Sequence, residues 1–283
     1  MNRESLDWSI LQNKEEYDMM LENSEKPVHL ILKYHHAGFW SIFNKVMNYL
    51  LYYKNIHKIS YDVFSNVSQF YGLDEIFGYI FDEYNNTISE ELININMKNY
   101  ITYEATGCFA NFLHEDNSWR KKYHDLWNKY IKIKSEVLDK VPEIKTDKKI
   151  ISILFRHHAL AHEQPNKCMP TYQQYENVIN GLLELYNNQC IIILATDIYE
   201  AEHHFKSKYS HIEIVHPFSV KTSNNDFEAQ QVSTYNGNKE NSVIATTTIL
   251  LLAKGDHFIF PNSNMATAAL YINPNMQSHF LIG

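Results

Sequence analysis

Arg156 is the residue of this sequence with the plainest chemical use. The run Lys149-Ile150-Ile151-Ser152-Ile153-Leu154-Phe155 is almost wholly apolar and stops at Arg156-His157-His158. A guanidinium is a planar fork of donors that stays charged at any physiological pH, and it matches the oxygens of phosphate or carboxylate. A second run, His257-Phe258-Ile259-Phe260, leads through Pro261 and Asn262 to Ser263 and Asn264, where a helix is expected to start. A hydroxyl and a helix N-terminus facing Arg156 would complete a cradle for a diphosphate without a metal. An ion pair with a neighbouring carboxylate at a sheet edge accounts for the same arginine, and both readings stand.

Other residues carry weaker signals. Asp197 closes a third run, Cys190-Ile191-Ile192-Ile193-Leu194-Ala195-Thr196, but an Asp after a strand more commonly caps a helix. His35 and His36 follow the first candidate strand, where a neutral imidazole could take a proton from an incoming hydroxyl. A solvated histidine at a strand end is the more ordinary account of either. His157, His158 and His162, with Glu163, resemble a metal cluster, yet Pro165 and Pro170 mark that stretch as loop. A metal-dependent hydrolase built on them is the rival reading.

The elements that must position these residues follow from periodicity. His29–Tyr34 and Lys58–Val63 predict strands, and a helix is expected from about Ser41. Residues 88–141 read as mostly helical, with Trp119, Tyr123, Leu126, Trp127, Tyr130 and Ile131 forming one apolar stripe that belongs to a core. Val141–Lys149 combines a proline with a charge run and sets a boundary, giving domains 1–145 and 146–283. Beyond it strands and helices alternate, which predicts an α/β fold with a parallel sheet covered by helices. The strands end at Arg156, Asp197, His216 and Phe260, the helices cover Thr171–Tyr186, Tyr199–Tyr209, Asn241–Lys254 and Met265–Tyr271, and Ser278–Ile282 closes the chain.

Composition bounds the function. The chain has 283 residues, 45% of them hydrophobic, with 25 Lys+Arg against 33 Asp+Glu and a formal charge of -8. That balance opposes attachment to nucleic acid or anionic lipid. Arg120-Lys121-Lys122 reads as a solvated helix face. Cys108, Cys168 and Cys190 form no CxxC pair, no run reaches the ~20 apolar residues of a membrane span, and residues 1–26 lack signal or transit features. A soluble cytoplasmic protein is the expectation. No Asp-x-Asp string, Walker loop or Gly-x-Ser-x-Gly elbow occurs, which removes support from the usual metal-bridged diphosphate, ATPase and serine-hydrolase readings.

Three motifs resemble the fucosyltransferases that include the core α1,6-fucosyltransferases, the rhizobial nodulation fucosyltransferase and the protein O-fucosyltransferases. They are Ile153-Leu154-Phe155-Arg156 with Met169-Pro170-Thr171 and Tyr175 downstream, Leu194-Ala195-Thr196-Asp197 with Lys206-Ser207-Lys208-Tyr209, and the segment Ile249–Asn264. The resemblance implies a GT-B architecture, with two Rossmann-like domains facing a cleft and a metal-independent, inverting sugar transfer. It implies Arg156 on the β-phosphate with Ser263 and Asn264 beside it, and a donor-binding segment that includes Asp197, Thr248 and Asp256. The partners would be a nucleotide-sugar donor, GDP-fucose foremost, and a carbohydrate acceptor, with no further cofactor. Three positions depart from the family pattern: Leu154 and His157 beside the arginine, and Thr248, where the family carries the carboxylate that reads guanine. Thr248 lacks a two-oxygen fork, so a UDP-sugar such as UDP-xylose is the alternative donor. A nucleotide-sugar-binding protein without catalysis is the remaining alternative.

Overall fold

The computed structural model describes residues 28–33, 40, 43–44, 47, 56–62, 100–103, 117–156, 170–196, 198–217 and 239–282. The chain divides into two compact units, Met1–Lys134 and Ser135–Gly283.

In the first unit three parallel strands, β1 (Val28–Lys33), β2 (Ile56–Asp62) and β3 (Tyr100–Tyr103), lie in the order β2-β1-β3. β3 falls in a stretch expected to be helical. Its four residues Tyr-Ile-Thr-Tyr are β-branched or aromatic and pair with His29–Leu32 of the central strand, so long-range pairing overrides the weak local pattern. Helix α1 (Asn117–Tyr130) buries Trp119, Tyr123 and Trp127, the expected stripe, and Trp127 meets Trp40 and Phe43 with ring centroids 6.5 Å and 5.7 Å away. Arg120 departs from expectation, being only 2% exposed while Lys121 and Lys122 are in solvent. The helix also stops at Tyr130, short of the charged segment's end, and a separate turn, α2 (Ser135–Leu138), opens the second unit.

The second unit holds five parallel strands: β4 (Lys149–Leu154), β5 (Cys190–Ala195), β6 (Glu213–Val215), β7 (His257–Phe260) and β8 (Gln277–Phe280). Their order is β6-β5-β4-β7-β8. All six residues of β5 and all four of β7 are buried, as the continuous apolar runs require when both faces of a sheet are covered. The chain works outward from β4 through β5 and β6, then returns past β4 to build β7 and β8. With right-handed crossovers, helices α3 (Tyr172–Leu185) and α4 (Tyr199–Lys208) cover one face, and α5 (Lys239–Leu252) and α6 (Asn264–Ile272) cover the other.

Local sequence explains the helix ends. Thr171 and Gln174 form a capping box at the start of α3, with the Thr171 N–H donating to Gln174 Oε1 at 2.7 Å. Asn187 and Asn188 take φ of 50° and 59° just past its end, where asparagine tolerates the left-handed region that a glycine-poor chain must fill otherwise. Gly255 is needed for space: a Cβ there would fall 2.5 Å from Ser152 Oγ and 2.8 Å from the His257 carbonyl oxygen.

The amino edge of this sheet is densely bonded. Asp256 accepts from Lys149 Nζ at 2.8 Å and from the Ile150 N–H at 2.9 Å, tying the start of β7 to the start of β4. Asn273 Nδ2 donates to the Ala253 carbonyl at 2.8 Å. His257 Nε2 lies 2.7 Å from Tyr186 Oη, and His257 Nδ1 lies 3.1 Å from His279 Nε2. Burial raises the Asp256 carboxyl, but the Lys149 and Ile150 hydrogen bonds, with the charges of Lys149 and His257, together outweigh it and hold the group below its usual range.

The two imidazoles give a pH dependence. Burial pushes His257 down, Asp256 opposes this and Lys149 adds to it; burial and then the charge of His257 push His279 down. Both rings are therefore harder to protonate in the folded chain than in the unfolded one, so the unfolded state binds more protons as pH falls. The stability they support is complete above the unfolded value of about 6.5 and is lost as pH drops below it. Urea midpoints measured from pH 7.5 to 5 should fall, and His279→Asn should flatten the slope. A wild-type profile level across that window would contradict the neutral state of the pair.

Candidate functional site

β4 is the centre of the sheet, and the strand order reverses between it and β7. In open α/β sheets ligands bind outside the carboxyl ends of the strands at such a switch point. Arg156 and Ser263 both lie there. Ile153 pairs with Ile259 in the ladder, so the chain leaves two hydrogen-bonded neighbours in the same direction, at Phe155-Arg156 and at Pro261-Asn262-Ser263.

What precedes Arg156 fixes its backbone. The Phe155 N–H donates to the Ala195 carbonyl at 2.9 Å, extending the pairing one residue beyond β4. The Phe155 ring is 1% exposed and packs against Tyr172, Tyr175 and Phe205, with centroids 4.7 Å, 5.0 Å and 5.5 Å away. Tyr175 Oη donates to the Leu154 carbonyl at 3.1 Å, and burial raises its pKa far above the ordinary phenol value, so it remains a donor. Ile151, Ile153 and Phe155 share one core with residues of α3 and α4. Strand alternation therefore gives the opposite face to Ser152, whose hydroxyl donates to the Leu252 carbonyl of α5 at 2.7 Å, and, carried on, to Arg156. That is the face on which α6 begins.

Arg156 is half-buried. No described residue holds its guanidinium in an ion pair or hydrogen bond, so the edge ion pair that sequence allowed is not made among them. Ser263 is 4% exposed and is the N-cap of α6; its Oγ accepts from the Met265 N–H at 3.3 Å, which leaves the hydroxyl proton available for another acceptor. Asn264 is the first residue of α6. The helix N-terminus adds partial positive charge close to the strand end that carries Arg156.

The remaining expected site residues are placed as follows. Asp256 stands at the amino edge of β7, four strand residues from Phe260, or about 13 Å from the switch point at strand rise. It is not brought to Arg156, and its carboxylate is engaged by Lys149 and Ile150. Thr248 lies within α5, 5% exposed, one turn before Leu252 and so nearer the carboxyl edge than that residue. The N-cap position of α4 is Ile198, which has no side chain to cap with; Asp197, His35, His36, His157, His158, His162 and Glu163 lie outside the described residues.

Sequence reasoning passed over Asn262. Its Oδ1 is buried and has no hydrogen-bond partner among the described residues. An asparagine between a proline and a helix cap reads as turn chemistry, so nothing in the sequence marked it.

No protein-family model matches the sequence, and no curated protein matches it either. Solved structures do. The chain is similar to the selenomethionine form of the fucosyltransferase NodZ from Bradyrhizobium, with 14% identity, 86% of this chain and 91% of that chain covered, and a TM-score of 0.51. It is likewise similar to the NodZ alpha-1,6-fucosyltransferase co-crystallized with GDP, at 13% identity, with 86% and 92% covered and a TM-score of 0.51. At that identity the likeness is one of fold.

Proposed function

We propose that this chain is a GT-B glycosyltransferase that moves a sugar from a nucleotide-diphosphate donor to a carbohydrate acceptor. One observation carries the reading: a guanidinium with no partner among the described residues stands at the carboxyl end of the central strand, beside the strand that leads into the capped start of α6. A positive fork held there and engaged by no described residue is suited to an anion that arrives with the substrate. The fold shared with NodZ, which was co-crystallized with GDP, supports taking that anion to be a nucleoside diphosphate.

The proposed step is inverting and independent of metal. The bond between the sugar's anomeric carbon and the β-phosphate oxygen breaks, and the acceptor hydroxyl oxygen bonds that carbon from the opposite face. The hydroxyl proton passes to a base, for which His35 and His36 are the candidates. Charge grows on the departing diphosphate as the bond lengthens. Arg156, the Ser263 hydroxyl and the N-terminus of α6 stabilise it there, which lowers the barrier more than it tightens binding. Asn264 lines the same turn. Asp256 is left out of this donor site, because it braces the far edge of the sheet.

GDP-fucose is the favoured donor and UDP-xylose the alternative. Thr248 is the residue that leaves the base open, since a threonine offers one hydroxyl where guanine presents two adjacent donors. Thermal unfolding in EDTA with GDP, GDP-fucose, UDP or UDP-xylose tests the reading. A ligand at a hundred times its Kd should add about 2.7 kcal/mol of stability, and the guanine pair should be the one that does so. Stabilisation by the uracil pair alone moves the donor and keeps the transfer, whereas a melting curve that no nucleotide shifts overturns the proposal.

A further inference from the structure

Asn262 has no structural employment that its chemistry would explain. Its side chain makes no hydrogen bond to any described residue, and Oδ1 is buried without a partner. Asparagine is often chosen for the left-handed backbone region, but among the described residues only Asn187 and Asn188 occupy it outside glycine. A buried acceptor left unsatisfied destabilises the fold, and a residue that brings such a cost without a local reason points to a group supplied from outside.

The position narrows that group. Asn262 directly precedes the N-cap Ser263, two residues past the end of β7, and β7 neighbours β4, the strand that leads to Arg156. A carboxamide oxygen needs a donor, and fully ionised phosphate oxygens have none to offer. The nearest donors in a nucleotide sugar are the hydroxyls of the transferred sugar, whose anomeric carbon is bonded to a β-phosphate oxygen; those of the ribose lie a phosphate further away.

We propose that Asn262 is a specificity-determining residue that accepts a hydrogen bond from a hydroxyl of the transferred sugar. The inference rests on the glycosyltransferase reading above. It makes Asn262 the residue by which the site distinguishes a sugar-loaded donor from the spent diphosphate.

The test compares wild type with Asn262→Ala, using Kd values for GDP and GDP-fucose, or for UDP and UDP-xylose if that pair is the one that binds. The variant should bind the diphosphate as wild type does and the sugar nucleotide about tenfold more weakly. Its ligand-free melting temperature should be no lower than that of wild type, because no hydrogen bond is lost. Equal weakening of both ligands, or no change in either, overturns the assignment while leaving the transferase intact. A melting temperature several degrees lower shows a structural role and also overturns it. If wild type binds none of the four nucleotides, the transferase reading fails and this inference fails with it.

Discussion

Arg156→Ala is expected to lower turnover by about tenfold to a thousandfold, because in the proposed transfer it removes one preorganised partner of a developing negative charge. The loss should appear in kcat more than in KM, because in the proposed reaction the diphosphate gains charge as the sugar departs. Folding should be almost untouched. The guanidinium is half-buried and bonded to no described residue, and substitutions at such positions shift stability by only about 0.5 kcal/mol. Arg156→Lys separates charge from geometry: a lysine keeps the charge but lacks the planar fork, so its turnover should lie between wild type and alanine. Steady-state kinetics with the donor identified by thermal shift, alongside melting curves for each variant, decides the matter. Near-normal turnover in the alanine variant removes Arg156 from the mechanism.

Phe155→Ala, one residue earlier, should do the reverse and damage the fold first. Its ring is 1% exposed among Tyr172, Tyr175 and Phe205, at the point where α3 and α4 meet the central strand. Truncating a buried aromatic costs about 3–5 kcal/mol, the lost transfer free energy plus the cavity left behind. Activity should fall as well, since the packed ring and the Phe155 N–H bond to Ala195 hold the backbone that aims Arg156. Equilibrium urea unfolding checks this; a loss under about 1 kcal/mol would mean that the cluster collapses around the gap. The adjacent pair thus separates the two roles, with one residue stabilising the sheet and its neighbour left for the ligand.

The second unit was legible because its strands are buried on both faces. Ile191–Leu194 and Phe258–Phe260 are continuous apolar runs that no surface strand would carry, and Thr171 with Gln174 announces a helix start within four residues. β3 was illegible because four residues are too few for a period, and its partner strand lies some seventy positions away in sequence. The site was read in part. The positions of Arg156 and Ser263 follow from where apolar runs stop. Asp256 was included in the donor-binding segment through motif resemblance, and the strand His257–Phe260 separates it from Ser263. The contact of His257 with His279 depends on the β7 and β8 register, and the unpartnered oxygen of Asn262 on its exact surroundings. Neither is encoded in local spacing.

The bonding of the sheet is lopsided. Lys149, Asp256, Asn273, Tyr186, His257 and His279 tie its amino edge together, while Arg156 and Asn262 stand at the carboxyl edge without partners among the described residues. Selection can therefore act on the two edges separately. Under the proposed transfer, replacements at Arg156 and Asn262 should alter ligand recognition with little effect on the fold, whereas replacements at Lys149 or Asp256 should weaken the sheet first. For protein engineering, Arg156 and the turn Pro261-Asn262-Ser263 are the positions at which to vary ligand preference if the proposed function holds, with Lys149 and Asp256 held constant.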